Sequence, residues 1–314
     1  CYECLHVLYD RRWHDLLRLP RWRSNGMSVA RMMQQAAAGA AGGGGSMFGP
    51  SYSDWDGSYL NFDTTSDANS QPFGQDPVNS NLNGTQHFYD PVTDRVYDGY
   101  NGNTAMSYHT GSQMLWNAGT SQMPNRPITS SVTGCTMVYQ NNKSYVLFGR
   151  YTGNNYIYVY ESATTPVYKG YFVPGQAGYE WFPTGLCFAE WNGDPVLWVT
   201  NNSTTLNRYT LPDLENLSGA TITPDGYVRI TNVTQYNMQY GGKDSSGYQY
   251  FYYRISNGFK QDKVLDNAAD NTLCTNYNSA SRSGSFGIYI DYGNDNLYIG
   301  GLSNQTIYRY PRLN

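Results

Sequence analysis

From Gly84 to the C-terminus the chain repeats one hydrophobic and polar rhythm about every fifty residues: an apolar, tyrosine-rich strand, a polar turn, a second strand, a polar turn and a third strand. The clearest copies begin at Gly134 (GCTMVYQNNKSYVLFGRYTGNNYIYVYE), Gly185 (GLCFAEWNGDPVLWVTNNSTTLNRYTLPDL) and Gly284 (GSFGIYIDYGNDNLYIGGLSNQTIYRYPRL). One divergent copy fits near Thr234, and an earlier one starts at Gly84. Ser144-Tyr145-Val146-Leu147-Phe148-Gly149 and Asn155-Tyr156-Ile157-Tyr158-Val159-Tyr160 are aliphatic or aromatic at almost every position, the pattern of strands covered on both faces. Between such runs, Gln140-Asn141-Asn142-Lys143, Asn192-Gly193-Asp194 and Gly293-Asn294-Asp295 read as hairpin turns, because Asn, Asp and Gly tolerate positive φ.

The period predicts an all-β fold, a β-propeller of four-stranded blades whose faces are buried only by radial stacking. A β-sandwich does not predict a fifty-residue period, and a β-helix predicts a shorter one. The last copy ends at Thr306-Ile307-Tyr308-Arg309-Tyr310 without an outermost strand, and Gly57-Ser58-Tyr59-Leu60-Asn61-Phe62-Asp63 is a strand pattern without a unit, so the two are expected to close the ring together. That gives five blades, with a sixth only if residues 48–83 hold a degenerate one.

Composition sets the surface. Aromatic residues make up 16% of the chain, with Tyr 31, against 14% charged residues, so the surface is built from Asn, Ser, Thr, Gln and Tyr. The formal charge of −4 supplies no basic field for a phosphate backbone, which argues against nucleic acid as a partner. No run of about twenty apolar residues is present to span a membrane.

The first fifty residues are of another kind. Residues 1–26 are rich in Arg, Trp and Leu and start at Cys1, and they are expected to be untranslated or leader sequence, with a short basic amphipathic helix over Leu5 to Leu19 as the alternative. Cys1 and Cys4 with His6 and His14 offer four zinc ligand types at a spacing that matches no common finger. Residues 27–46 read as a non-globular docking segment with a glycine linker, and 47–314 as the propeller domain. The stretch MSVARMMQQAAAGAAGGGG resembles the short N-terminal segment of structural and fibre-like proteins of marine bacteriophages. That resemblance covers about twenty residues and stops at Ser46. It implies a virion protein, a tail or appendage component, that docks on other virion proteins through residues 27–46 and displays its C-terminal domain.

Candidate chemistry is sparse. Cys135 and Cys187 follow the starting glycines of adjacent copies and are expected to be buried free thiols on neighbouring inner strands; Cys274 is solitary. Glu180 and Glu190 flank Tyr179, Trp181, Phe182 and Trp191, so a glycosidase-like pair is one reading, because glycoside hydrolysis needs two carboxylates about 5 to 10 Å apart. Ser53-Asp54-Trp55-Asp56-Gly57 and Asp291-Tyr292-Gly293-Asn294-Asp295 carry alternating oxygen ligands, but turn chemistry accounts for both, and neither a metal nor a cofactor is expected. Recognition fits the residues better than catalysis. Trp116, Tyr151, Asn154, Asn155, Tyr179, Trp181, Asn201, Asn202 and Tyr240 are the ligand-binding candidates, offering flat faces to pyranose rings and amides to sugar hydroxyls. The expectation is therefore a virion protein that is not an enzyme and contacts host-envelope polysaccharide; an architectural virion subunit and a glycoside-acting or carbohydrate-binding propeller of bacterial origin are the alternatives.

Overall fold

The structure is a computed structural model that describes residues 46–64, 70–72, 86–99, 106–110, 121–125, 127, 132–150, 155–175, 183–200, 204–231, 237–255, 258–281, 285–301 and 306–313. The expectations for residues 1–26 and for 27–45 lie outside these. Among the described residues no helix is long and apolar enough to cross a membrane.

The strands form a five-bladed propeller. Strand β1 (Ser70–Pro72) precedes blade 1, which consists of β2 (Gln86–Asp90), β3 (Arg95–Gly99), β4 (Met106–Thr110) and β5 (Ser121–Gln122). Blade 2 is β6 (Val132–Gln140), β7 (Lys143–Arg150), β8 (Ile157–Glu161) and β9 (Val167–Pro174). Blade 3 is β10 (Gly185–Trp191), β11 (Asp194–Thr200), β12 (Thr205–Thr210) and β14 (Gly226–Arg229). Its detour β13 (Thr221–Ile222) runs parallel to β9 and covers the outer edge of blade 2. Blade 4 is β15 (Met238–Lys243), β16 (Tyr248–Ile255), β17 (Gly258–Leu265) and β18 (Thr275–Ser281). Blade 5 is β19 (Ser285–Asp291), β20 (Asn296–Gly301) and β21 (Thr306–Pro311), completed by β1 as its outermost strand.

The doubly apolar strands lie where their pattern places them. Tyr145 to Phe148 and Ile157 to Tyr160 are all buried, since each is covered by a neighbouring blade. The predicted turns also hold: Asn141 and Asn142 both have positive φ, as do Asn192 and Gly193, which is what a two-residue hairpin loop matching the strand twist requires. Cys135 and Cys187 are buried on the inner strands β6 and β10, and neither is in a disulfide.

Ring closure differs from the expectation in one respect. The fourth strand of blade 5 is Ser70–Pro72, and residues 57–63 do something else. Ser58 bridges Lys243 in parallel, Leu60 N donates to Gly241 O, and Phe62 bridges Arg312 at the C-terminal end. The segment therefore hooks blade 4 to the C-terminus without joining a sheet, and its alternation reflects Leu60 and Phe62 turning into the core. Gly242 makes the close approach possible: its φ is +90°, and a Cβ there would stand 2.4 Å from Ser58 O. Residues 48–64 thus form no sixth blade.

The same segment plugs one end of the channel. Phe48, Tyr52 and Trp55, around a short 3-10 turn at Pro50–Tyr52, are buried among rings from four blades. Tyr52 meets Phe88 at 4.9 Å and Tyr292 at 4.8 Å; Phe48 meets Phe188 at 5.5 Å and Tyr240 at 6.0 Å. Blade 2 is reached by a hydrogen bond, from Tyr52 OH to Met137 O at 2.7 Å.

Along the axis a single side chain joins the inner strands. Gln86, fully buried on β2, donates through Nε2 to Leu186 O at 2.6 Å and Met238 O at 2.5 Å. Its Oε1 accepts from Cys135 N at 3.2 Å and Leu186 N at 3.4 Å. One amide on blade 1 thereby satisfies inner-edge backbone groups of blades 2, 3 and 4, which a strand edge otherwise leaves without partners. Gln86→Leu keeps the volume and strands those groups in hydrocarbon, so it should lower unfolding free energy by about 2–4 kcal/mol. Urea denaturation measures this; a loss below about 0.5 kcal/mol would show that the amide is replaceable.

Candidate functional site

Strand polarity divides the ring into two faces. In every blade the inner strand runs toward a tight hairpin, so the turns 91–94, 141–142, 192–193, 244–247 and 292–295 lie on one face together with the plug. The second-to-third strand connections, and those running from an outer strand to the next inner strand, start and end on the opposite face, the crossover face. Strands β7 and β8 are joined there across residues 151–156, β9 and β10 across 175–184, and β11 and β12 across 201–204.

Of the nine predicted ligand contacts, Tyr151, Asn154, Tyr179, Trp181, Asn201 and Asn202 fall in these crossover connections and lie outside the described residues. Asn155, in the first of them, is half-buried and donates through Nδ2 to Pro174 O at 3.3 Å, tying the connection to the outer strand of its own blade. Trp116, between β4 and β5 in the chain, also lies outside the described residues. Tyr240 is a correction. It is fully buried beneath Phe48 and Trp55, with its hydroxyl donated to Gln249 Oε1, so packing against the plug occupies the ring that a ligand would need.

Of the two glutamates read as a pair, Glu180 lies outside the described residues. Glu190 is near the hairpin end of β10, five strand residues beyond Gly185, a rise of about 17 Å. Glu190 is committed elsewhere: it pairs with Lys243, which also meets Asp266 at 3.5 Å. Burial works against the Lys243 ammonium, yet the two carboxylates outweigh it and raise its pKa. Trp191 is buried as well, under the guanidinium of Arg208 at 4.8 Å from its ring centre, which also faces Trp198 at 5.7 Å.

A second charged group escaped the sequence because its members are far apart in the chain. Glu215, carried on the excursion between β12 and β13, reaches Lys143 at 2.7 Å and Tyr145 OH at 2.5 Å and also pairs with Lys169; Glu161 meets the same two lysines at 3.4 and 3.6 Å. Gln140 anchors this excursion by donating to Pro212 O and accepting from Leu214 N. The group clasps blade 3 onto blade 2, with each carboxylate neutralised by ammonium groups.

The aspartates of the two oxygen-rich turns serve the turns. Asp56 accepts from Ser58 N, and Asp291 accepts from Gly293 N, Asn294 N and Asn294 Nδ2. Among the described residues no group of three or more His, Cys, Asp or Glu side chains could hold a metal.

No family model matches the chain, and no curated protein matches its sequence. Among solved structures, it is similar to an α-L-arabinofuranosidase from Lactobacillus brevis, with a TM-score of 0.50 and 8% identity over 74% of this chain and 90% of that one. An arabinanase from Bacillus subtilis gives 0.46 at 12% identity, covering 74% of this chain and 94% of that one. A GH43 endo-arabinanase from Bacillus licheniformis gives 0.45 at 13%, covering 75% and 95%. At these identities the likeness is one of fold. It corrects the expectation that the chain is not an enzyme: the fold is shared with an α-L-arabinofuranosidase, so it gives no ground for excluding catalysis.

The clasp has a measurable pH signature. Hydrogen bonds from Lys143 first, then from Lys169 and the Tyr145 phenol, hold the Glu215 carboxyl down at about 2 against an ordinary 4.5. A carboxylate whose pKa falls on folding contributes stability above its unfolded value and loses it as pH drops toward the folded one. The wild-type melting temperature should therefore fall between pH 4.5 and pH 2, and Glu215→Gln should fall less steeply there. Parallel curves would show that the clasp does not contribute.

Proposed function

We propose that this chain is a glycoside-acting propeller that engages its glycan on the crossover face. The observation that carries the reading is strand polarity. The strand ends that flank the segments holding Tyr151, Asn154, Tyr179, Trp181, Asn201 and Asn202 lie on one face, while the plug fills the channel end on the other. Flat rings and amides converging beside a rigid scaffold are what a saccharide site requires. The likeness in fold to an α-L-arabinofuranosidase supports catalysis over simple adhesion.

The chain segments between those strand ends contain two carboxylates, Asp76 in 73–85, between β1 and β2, and Glu180 in 175–184, between β9 and β10. Glycosidic cleavage needs one carboxyl to protonate the leaving oxygen and a second to act as nucleophile or to activate water. Asp76 and Glu180 are the residues we assign to those two tasks, in place of the pair Glu180 and Glu190.

Reducing-sugar release from arabinan, other plant and bacterial polysaccharides and aryl α-L-arabinofuranosides tests this. Glu180→Gln and Asp76→Asn should each lower turnover at least 100-fold without shifting the melting temperature, and Glu190→Gln should retain it. Full activity in both of the first two variants, or no release by wild type on any substrate, would sink the assignment.

The resemblance of residues 27–46 to phage structural proteins favours a second element, the setting: a virion appendage that docks through that segment and meets host-envelope polysaccharide. Portal, tail or fibre genes beside this reading frame would support it. A carbohydrate-utilisation operon there would overturn the particle setting and leave the glycan reading intact.

A further inference from the structure

Blade 4 carries a cluster of rings near its hairpin end, away from the crossover face. Tyr59, on the segment that hooks over blade 4, stacks on Tyr250 of β16 with ring centres 3.8 Å apart and 21° between planes. Tyr277 of β18 meets both edge-on, at 6.2 and 5.1 Å. The position of Tyr277 comes from a bulge. The β17–β18 ladder passes from Gln261↔Asn278 to Asp262↔Asn276, which leaves Tyr277 as the extra residue, and a bulge re-aims the side chain it carries. Although its ring packs on two others, Tyr277 remains 43% exposed, whereas Tyr250 is buried.

A cation completes the cluster. Lys263 Nζ stands 4.5 Å from the centre of the Tyr248 ring and 4.8 Å from that of Tyr277. Lys143, Lys169 and Lys243 are held in ion pairs, whereas among the described residues Lys263, like Lys260, forms none, and the Lys263 ammonium rests on ring faces. Asp244, whose pKa is lowered in spite of burial with help from the charge of Lys263, is already engaged by Tyr250 OH at 2.8 Å and by the backbone of Ser246 and Tyr248. Beside Tyr59, Gln261 is fully buried with an unpartnered Oε1, while its Nε2 donates to Tyr59 OH at 3.2 Å. The cluster therefore offers an exposed flat ring and an ammonium with unused donors.

We propose that Tyr277, with Tyr59, Tyr250 and Lys263, binds an acidic saccharide, a uronate-bearing chain whose pyranose face lies on the Tyr277 ring and whose carboxylate meets Lys263. One ammonium suits one carboxylate per sugar. A phosphate backbone would need several basic groups, and this cluster holds one. The site is separate from the crossover face and stands whether or not that face cleaves a glycan.

Affinity electrophoresis and calorimetry of the full chain against polygalacturonate, with neutral arabinan as comparison, test the site. Wild type should bind polygalacturonate, more weakly as salt rises. Tyr277→Ala should weaken that binding at least tenfold, and Tyr277→Trp, which keeps a flat ring, should preserve it. Lys263→Gln should remove most of the salt dependence, and Glu180→Gln should bind like wild type. Absence of binding by wild type, equal binding by a folded Tyr277→Ala variant, or equal affinity for the neutral chain would each overturn the proposal.

Discussion

Inner strands converging on one axis leave edge backbone groups without ladder partners, and Gln86 on blade 1 supplies partners to those of blades 2, 3 and 4. A planar amide has two donors and an acceptor with two lone pairs, so one side chain can serve both N–H and C=O groups. Its four bonds fall on three other blades, at positions 49, 100 and 152 residues away in the chain. No other side chain type of that length could do so: a carboxylate lacks the donors and a lysine lacks the acceptor. The blades must be in register around the axis for these bonds to form, and the polar end of the channel is then filled by a neutral group. At the other end Phe48, Tyr52 and Trp55 do the corresponding apolar work.

The repeat was readable because each blade reuses one pattern of strands and turns, and five copies of a weak signal reinforce one another. The closing strand was not. Ser70-Gln71-Pro72 has no apolar alternation and ends in proline, which is tolerated because this strand is the outer edge and needs no donor on its free side. Residues 57–63 have the alternation a strand would show, since Leu60 and Phe62 turn inward, but their backbone partners belong to two different places, Gly241 and Lys243 on one side and Pro311 on the other. Periodicity reports which side chains are buried and is silent on which backbone is paired.

The candidate site suffered from the same limit. Glu190 reads in sequence beside its neighbour Glu180, but its partner in space is Lys243 of the next blade, which it shares with Asp266. Glu215 is likewise defined by lysines 72 and 46 residues away. In a propeller, residues a blade apart become neighbours, so chemistry has to be read across the period.

The abundance of tyrosine follows from the same geometry. Between two stacked blades a ring fills the gap, and its hydroxyl can reach a polar group on another element that a phenylalanine would leave bare. Tyr52 donates to Met137 O, Tyr252 to Leu60 O, Tyr292 to Tyr240 O and Tyr209 to Gly175 O, each joining separate parts of the ring. Burial raises the pKa of these phenols, so they stay protonated and remain donors. Tyrosine content is therefore a signature of blade packing first, which is why Tyr240 reads as a ligand contact in sequence and is a core residue in space. The informative tyrosine is the one that packing leaves exposed, and Tyr277 is distinguished on that ground: it is the extra residue of a bulge, beside a lysine that forms no ion pair among the described residues.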